Sequence, residues 1–125
     1  MKSTLIFIFL FVLSAHAKAA HITGGEMIYD FISTTGSSTK YRVTLRLFRD
    51  DNCSNCAAMP ASVAIGIFNN DNRQLVGDYK TVSLNSNTGL VPNGTPACIT
   101  NPPNLRYTVG TYTFEVDLPS NFNGY

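Results

Sequence analysis

The sequence predicts an all-β fold, an antiparallel immunoglobulin-like β-sandwich of about six to seven strands. Three observations carry that expectation. From Glu26 onward the apolar residues recur with a period of two, not 3.6. Clusters of Asn, Asp, Gly, Pro and Ser interrupt the pattern at short intervals, as chain reversals require. After the N-terminal apolar run, no eleven-residue window carries a helical apolar stripe.

In chain order, Glu26–Ile32 is a weaker strand, and Thr35-Gly36-Ser37-Ser38 turns out of it. Tyr41–Arg49 is the clearest strand: Tyr41, Val43, Leu45 and Leu47 share one face, while Arg42, Thr44 and Arg46 share the other. Asp50-Asp51-Asn52-Cys53-Ser54-Asn55-Cys56 reads as a polar turn. Ser62–Phe68 is apolar enough to lie centrally in a sheet, and Asn69-Asn70-Asp71-Asn72 closes it. Leu75–Leu84 is a weaker strand. Asn85-Ser86-Asn87-Thr88-Gly89 and Pro92-Asn93-Gly94-Thr95-Pro96 read as turns, and Leu105–Val109 as a short edge piece. Thr111–Leu118 completes the series with Tyr112, Phe114, Val116 and Leu118 inward. With Tyr41, Val43, Leu45, Leu47, Val63, Ile65 and Ile67, these form the expected core. There is no Trp, so the Cys–Trp–Cys signature of antibody-type domains is missing.

The first nineteen residues differ from this body. A short cationic start, Met1-Lys2-Ser3-Thr4, precedes nine unbroken apolar residues, Leu5–Leu13. As a helix those nine rise about 14 Å, well short of a hydrocarbon core of roughly 30 Å. Ala15-His16-Ala17 and Ala17-Lys18-Ala19 both fit a small-residue cleavage site, so residues 1–19 read as a signal peptide. The domain then spans 20–125, secreted or at the cell surface, with no membrane span in the mature chain. Cleavage removes Lys2 and Lys18 but no acid, moving the formal charge from +1 to −1. Near-neutral charge in one small domain excludes a polybasic nucleic-acid binder and a multidomain enzyme.

Export makes a structural disulfide the expected use of Cys53, Cys56 and Cys98. Cys98 pairs with Cys53 or with Cys56; the spacing does not choose. One thiol of the three is left over, so something is missing from this chain or pairs outside it. A zinc site is disfavoured because three Cys and the distant His21 are the only soft ligands of the mature part.

Chemistry is otherwise sparse. His21 is the single His after the leader, which excludes most His-dependent mechanisms. No phosphate-binding loop, nucleophile elbow or dinucleotide fingerprint is present. Glu115 and Asp117 lie two apart on a strand, so both belong to a solvent face rather than a catalytic cleft. Asp50, Asp51, Asn52, Asn69, Asn70, Asp71 and Asn72 offer hard oxygen ligands at two loops but match no spaced calcium loop. Arg42, Arg46 and Arg49 form a basic stripe on a solvated face. Tyr29, Tyr79 and Tyr107 are the candidates for stacking on a sugar. No catalytic residue, metal ligand or cofactor is expected.

His21-Ile22-Thr23-Gly24-Gly25-Glu26, followed by Tyr41–Asp50, belongs to a wider pattern. It continues through Ile65-Gly66-Ile67-Phe68, Pro96-Ala97-Cys98-Ile99, Pro102-Pro103-Asn104, Gly110-Thr111-Tyr112 and Val116-Asp117-Leu118-Pro119. In this combination the chain resembles the N-terminal domain of large secreted surface proteins of Bacteroidota-type bacteria. Such proteins often carry PKD repeats and end in a gliding-motility-associated, type IX secretion sorting domain. Two departures stand out: Asp51-Asn52 intervene before Cys53, and Leu105-Arg106 occupy a place where the family commonly has Cys. The resemblance implies a fragment, cut after Gly124-Tyr125 and before a further strand with paired cysteines, with further domains of the same polypeptide downstream. It also implies a non-enzymatic, structural or adhesive role, with surface polysaccharide or other surface proteins as partners. The alternative is a carbohydrate-binding module using exposed Tyr and calcium.

Overall fold

The computed structural model describes residues 22–52, 57–90, 100–101, 103–121 and 123–125. The leader at 1–19, the turn at 92–96 and all three cysteines lie outside the described residues. Among the described residues every regular element is a strand, and every pairing is antiparallel. The strands are β1 (Ile22–Thr35), β2 (Ser38–Asp50), β3 (Ser62–Ile65), β4 (Lys80–Ser83), β5 (Ser86–Leu90) and β6 (Tyr107–Pro119). They form a four-stranded sheet in the order β1-β2-β6-β5 and a two-stranded sheet, β3-β4.

The long β1–β2 hairpin closes through Thr35 opposite Ser38, with Gly36 at φ +60 as its first loop residue. A two-residue loop takes positive φ there, which glycine adopts without steric cost. Pairing then runs in one alternation across three strands. Tyr29 stands opposite Val43 and Val43 opposite Phe114, while Asp30 stands opposite Arg42 and Arg42 opposite Glu115. One face of the sheet is therefore apolar and the other charged.

On the charged face Arg46 bonds Glu26 and Arg42 bonds Glu115, each at 2.9 Å, and Lys40 lies 3.8 Å from Asp117. Arg42 and Arg46 of the expected stripe are thus interleaved with acids, whereas Arg49 falls on the opposite parity, across from Thr108, and does not extend it. These pairs are partly exposed, so each contributes at most about 1 kcal/mol. Their value is as markers of register, since a slip would separate these opposite charges.

The small sheet packs on the apolar face at one end. There Met59, Ile65, Val82 and Tyr112 are buried together, with Ile22, Leu45, Leu47, Val63, Leu84 and Phe114 packed around them. Tyr112 is fully enclosed, and its hydroxyl donates to the Pro60 carbonyl at 2.6 Å. Met59 enters from the connection before β3 and lies against Gly110; a Cβ at that glycine would come within 2.5 Å of the Met59 Cγ. A glycine inside a central strand is explained by that close approach. Of the expected core, Ile65, Tyr112, Val116 and Leu118 are buried, whereas Tyr41, Val43, Leu45, Leu47, Val63, Ile67 and Phe114 keep partial exposure.

Several boundaries differ from expectation. The stretch Asn85–Gly89, read as a turn, contributes most of β5, which pairs with Tyr107–Thr111 of β6. All five β5 residues are exposed, so backbone pairing alone holds the strand and no apolar alternation announces it. β3 stops at Ile65, and Phe68 returns only as an isolated bridge to Leu75. β4 keeps four residues of the longer stretch expected, and β1 extends well beyond Glu26–Ile32 in both directions.

A polar clamp ties the exit of β2 to the entry of β6. Arg49 donates through Nε and Nη2 to Asp51 Oδ1 at 2.9 and 2.8 Å, and the Thr108 hydroxyl donates to Asp51 Oδ2 at 2.6 Å. The Thr108 hydroxyl above all holds the Asp51 carboxyl below its ordinary value of 3.8; desolvation opposes it, and Arg49 and Arg106 reinforce it.

Two measurements check this account. Tyr112→Phe should cost about 1 kcal/mol in urea unfolding, with an unchanged slope, because the part-buried bond from the enclosed phenol to the Pro60 carbonyl is lost. A depressed carboxylate stabilises the fold above its unfolded-state pKa and loses that contribution as pH falls through the folded value. The urea midpoint should therefore fall more steeply on acidification below about pH 4 in the native chain than in Asp51→Asn.

Candidate functional site: an open groove on the apolar face

The small sheet covers only one end of the apolar face. At the other end, toward the β1–β2 hairpin, an open groove of about 950 Å³ runs between the large sheet and the segment after β3. Its floor comes from alternate residues of three paired strands: Met27 and Tyr29 of β1, Tyr41 and Val43 of β2, Phe114 and Val116 of β6. Residues 65–68 form one wall and the C-terminal segment closes one end. No charged side chain lines it.

Its aromatic rings meet edge to face. Tyr41 lies 6.0 Å from Tyr29 at 82° and 6.4 Å from Phe31 at 77°. Such pairs add about 0.5–1.5 kcal/mol beyond burial. Tyr29 nevertheless stays 74% exposed, Phe31 63% and Met27 54%. The three form a continuous apolar stripe on an edge strand whose single neighbour is β2.

The wall is bonded on both sides near its turn. Val76 N–H donates to the Ile67 carbonyl and Asn69 N–H to the Gln74 carbonyl, each near 2.9 Å or less. By strand alternation, the backbone groups of Gly66, Phe68 and Asn70 point the other way. On that side Asn70 N–H donates to the Gly124 carbonyl at 3.2 Å, and Asn70 Nδ2 to the Asn123 carbonyl at 3.0 Å. Asn123 bonds Asp71 through its amide, and the Tyr125 hydroxyl donates to the Pro119 carbonyl. The segment after β6 thus leaves the large sheet and fastens to the turn of the smaller layer.

The candidate residues from sequence fall in three places. Tyr29 lies in the groove; Tyr79, 61% exposed, sits beside Gly66, where an added Cβ would touch its ring; Tyr107 opens β6 opposite Asp50 and Leu90. The strand register therefore separates Tyr107 from Tyr29 by most of the sheet. Cys53, Cys56 and Cys98, the disulfide candidates, lie outside the described residues.

The carboxylates face elsewhere. Glu115 and Asp117 are on the outer face opposite Arg42 and Lys40, and do not converge. At the loops, Asp50 Oδ1 accepts from Asn52 N–H, Asn69 Oδ1 from Asp71 N–H and Asn72 Oδ1 from Gln74 N–H, at 2.7–2.9 Å. Those oxygens serve their own turns. Among the described residues no group of three or more His, Cys, Asp or Glu could hold a metal ion. Nor is any helix among them long and apolar enough to cross a membrane.

Sequence reasoning placed Tyr29 among its candidates but missed Met27, Phe31, Phe68 and Tyr125. The signal was present in the alternation of Met27, Tyr29 and Phe31, yet Ile28 and Ile32 occupy the opposite parity and blur the face. No family model, curated protein or solved structure compared with the chain matches it.

Proposed function

We propose that the chain is a non-enzymatic module of an exported cell-surface or matrix protein, with a structural or adhesive role, and that its two layers are an immunoglobulin-like sandwich. One observation carries the choice of contact over catalysis. The groove of about 950 Å³ has no charged side chain in its lining, while Glu26, Glu115 and Asp117 are held against cations on an open face. General acid–base chemistry needs titratable groups converging on a substrate, and this groove offers aromatic surface instead. The likeness to bacterial surface-protein N-terminal domains supports the same reading.

A second reading, carbohydrate binding through Tyr29, Tyr79 and Tyr107 with calcium at the Asn/Asp turns, draws on the exposure of Tyr29 and Tyr79. The edge-to-face packing of Tyr29 on Tyr41 weighs against it, since a sugar platform presents a ring flat.

Two experiments separate these readings. Mass spectrometry of the protein recovered from envelope and medium should find an N-terminus at Ala20; retention of Met1 on the extracellular protein would overturn the leader assignment. On a glycan array with calcium, the exported chain should show no selective binding. Selective binding that Tyr29→Ala or Tyr79→Ala abolishes would replace the structural role with the carbohydrate one.

A further inference from the structure

We propose that the uncovered stripe of β1 is a self-association surface, and that its occupant is a second copy of this chain. The two copies would pack their open ends face to face about a two-fold axis. The stripe Met27, Tyr29, Phe31 of each copy would then lie in the groove of the other. This goes beyond the structural role and does not depend on the route of export.

The first argument is position. Stripe and groove belong to the same face and adjoin through Tyr29, which is part of both. A two-fold axis through such a surface brings each stripe onto the other copy's groove and closes the contact in a pair. The second argument is charge. No Asp, Glu, Lys, Arg or His side chain lines the groove, so two copies meet without repulsion between like-charged side chains or burial of an unpaired charged one. Glu26, Asp30, Arg42 and Arg46, which would obstruct such a contact, point to the opposite face.

The third argument is area. An aromatic side chain carries roughly 200 Å². Scaled by the exposure of Met27, Tyr29, Phe31, Phe68 and Tyr125, the surface on offer is about 500 Å² per copy. Two copies would bury about 1,000 Å², the lower bound for a specific interface. A dimer of that size is weak, with a dissociation constant in the range of about 1–100 µM.

Residues 20–125 contain both sheets and the whole described core, and sedimentation velocity on that chain, from about 1 to 500 µM, tests the proposal. The expected result is a concentration-dependent monomer–dimer equilibrium with no larger species. Tyr29→Thr with Phe31→Thr keeps β-branched strand formers at these positions and should weaken association at least tenfold, while the chain still unfolds in one cooperative urea transition whose midpoint falls only by the loss of the two ring contacts with Tyr41. Leu90→Thr on the opposite edge, at a residue 50% exposed, is the control and should leave association unchanged. A monomer at every concentration overturns the proposal. So does association insensitive to Tyr29→Thr/Phe31→Thr, equal weakening by Leu90→Thr, or open-ended growth into higher species.

Discussion

The structure depends on one register, that of β2 between its two neighbours. β2 is paired along its length to β6 and nearly so to β1, and every face assignment follows from that double pairing. A slip of one residue would turn Arg42 and Arg46 toward Tyr112 and Leu118 and expose Tyr41, Val43 and Leu45. An unpaired cation in that environment costs several kcal/mol, far more than the ion pairs themselves contribute. The outer pairs of Glu26 with Arg46, Arg42 with Glu115 and Lys40 with Asp117 therefore act as markers of the register that burial enforces.

Core and groove are two halves of one apolar face. At about 3.3 Å per residue, the 13 residues of β2 extend roughly 43 Å, whereas the four of β3 and of β4 cover roughly 13 Å. The smaller layer is too short to roof the larger one. Its contribution is concentrated where Met59, Ile65 and Val82 meet Tyr112, and Ile67 and Phe68 reach a little further. Beyond them the same alternation continues through Val43, Tyr41, Tyr29 and Phe31, where residues 65–68 and the segment after β6 wall the groove without closing it. The groove is the uncovered remainder of the core, made by the same periodicity.

That relation explains what could be read from sequence. β2 and the body of β6 were legible because each has one buried and one solvated face, which is the condition for clean alternation. β5 was not, because its pairing to β6 is a backbone matter and Asn87, Thr88 and Gly89 carry the composition of a turn. β1 was legible as a strand but not as to face, since Ile28 and Ile32 compete with Met27, Tyr29 and Phe31. Its register shifts between Ile22 and Gly24 and between Phe31 and Ser33 break the period further. The exposure of Tyr29 was out of reach for a different reason: it depends on how far β3 and β4 extend over another strand, a nonlocal length. The outward placement of Glu115 and Asp117 needed only local parity, and it was anticipated.

An exposed aromatic stripe on an edge strand is ordinarily a hazard, because unpaired backbone groups and apolar side chains invite open-ended pairing. β1 carries two counterweights. Its register shifts kink each end of the strand, and bulged edges twist away from a flat template. Glu26 and Asp30 also line its outer face, so a second β1 added edge to edge in parallel register would stack acid on acid, which is unfavourable. These features discourage continuation of the sheet in its own plane without altering the apolar face perpendicular to it. Edge growth is thus penalised by charge and shape, while face-to-face contact is left open.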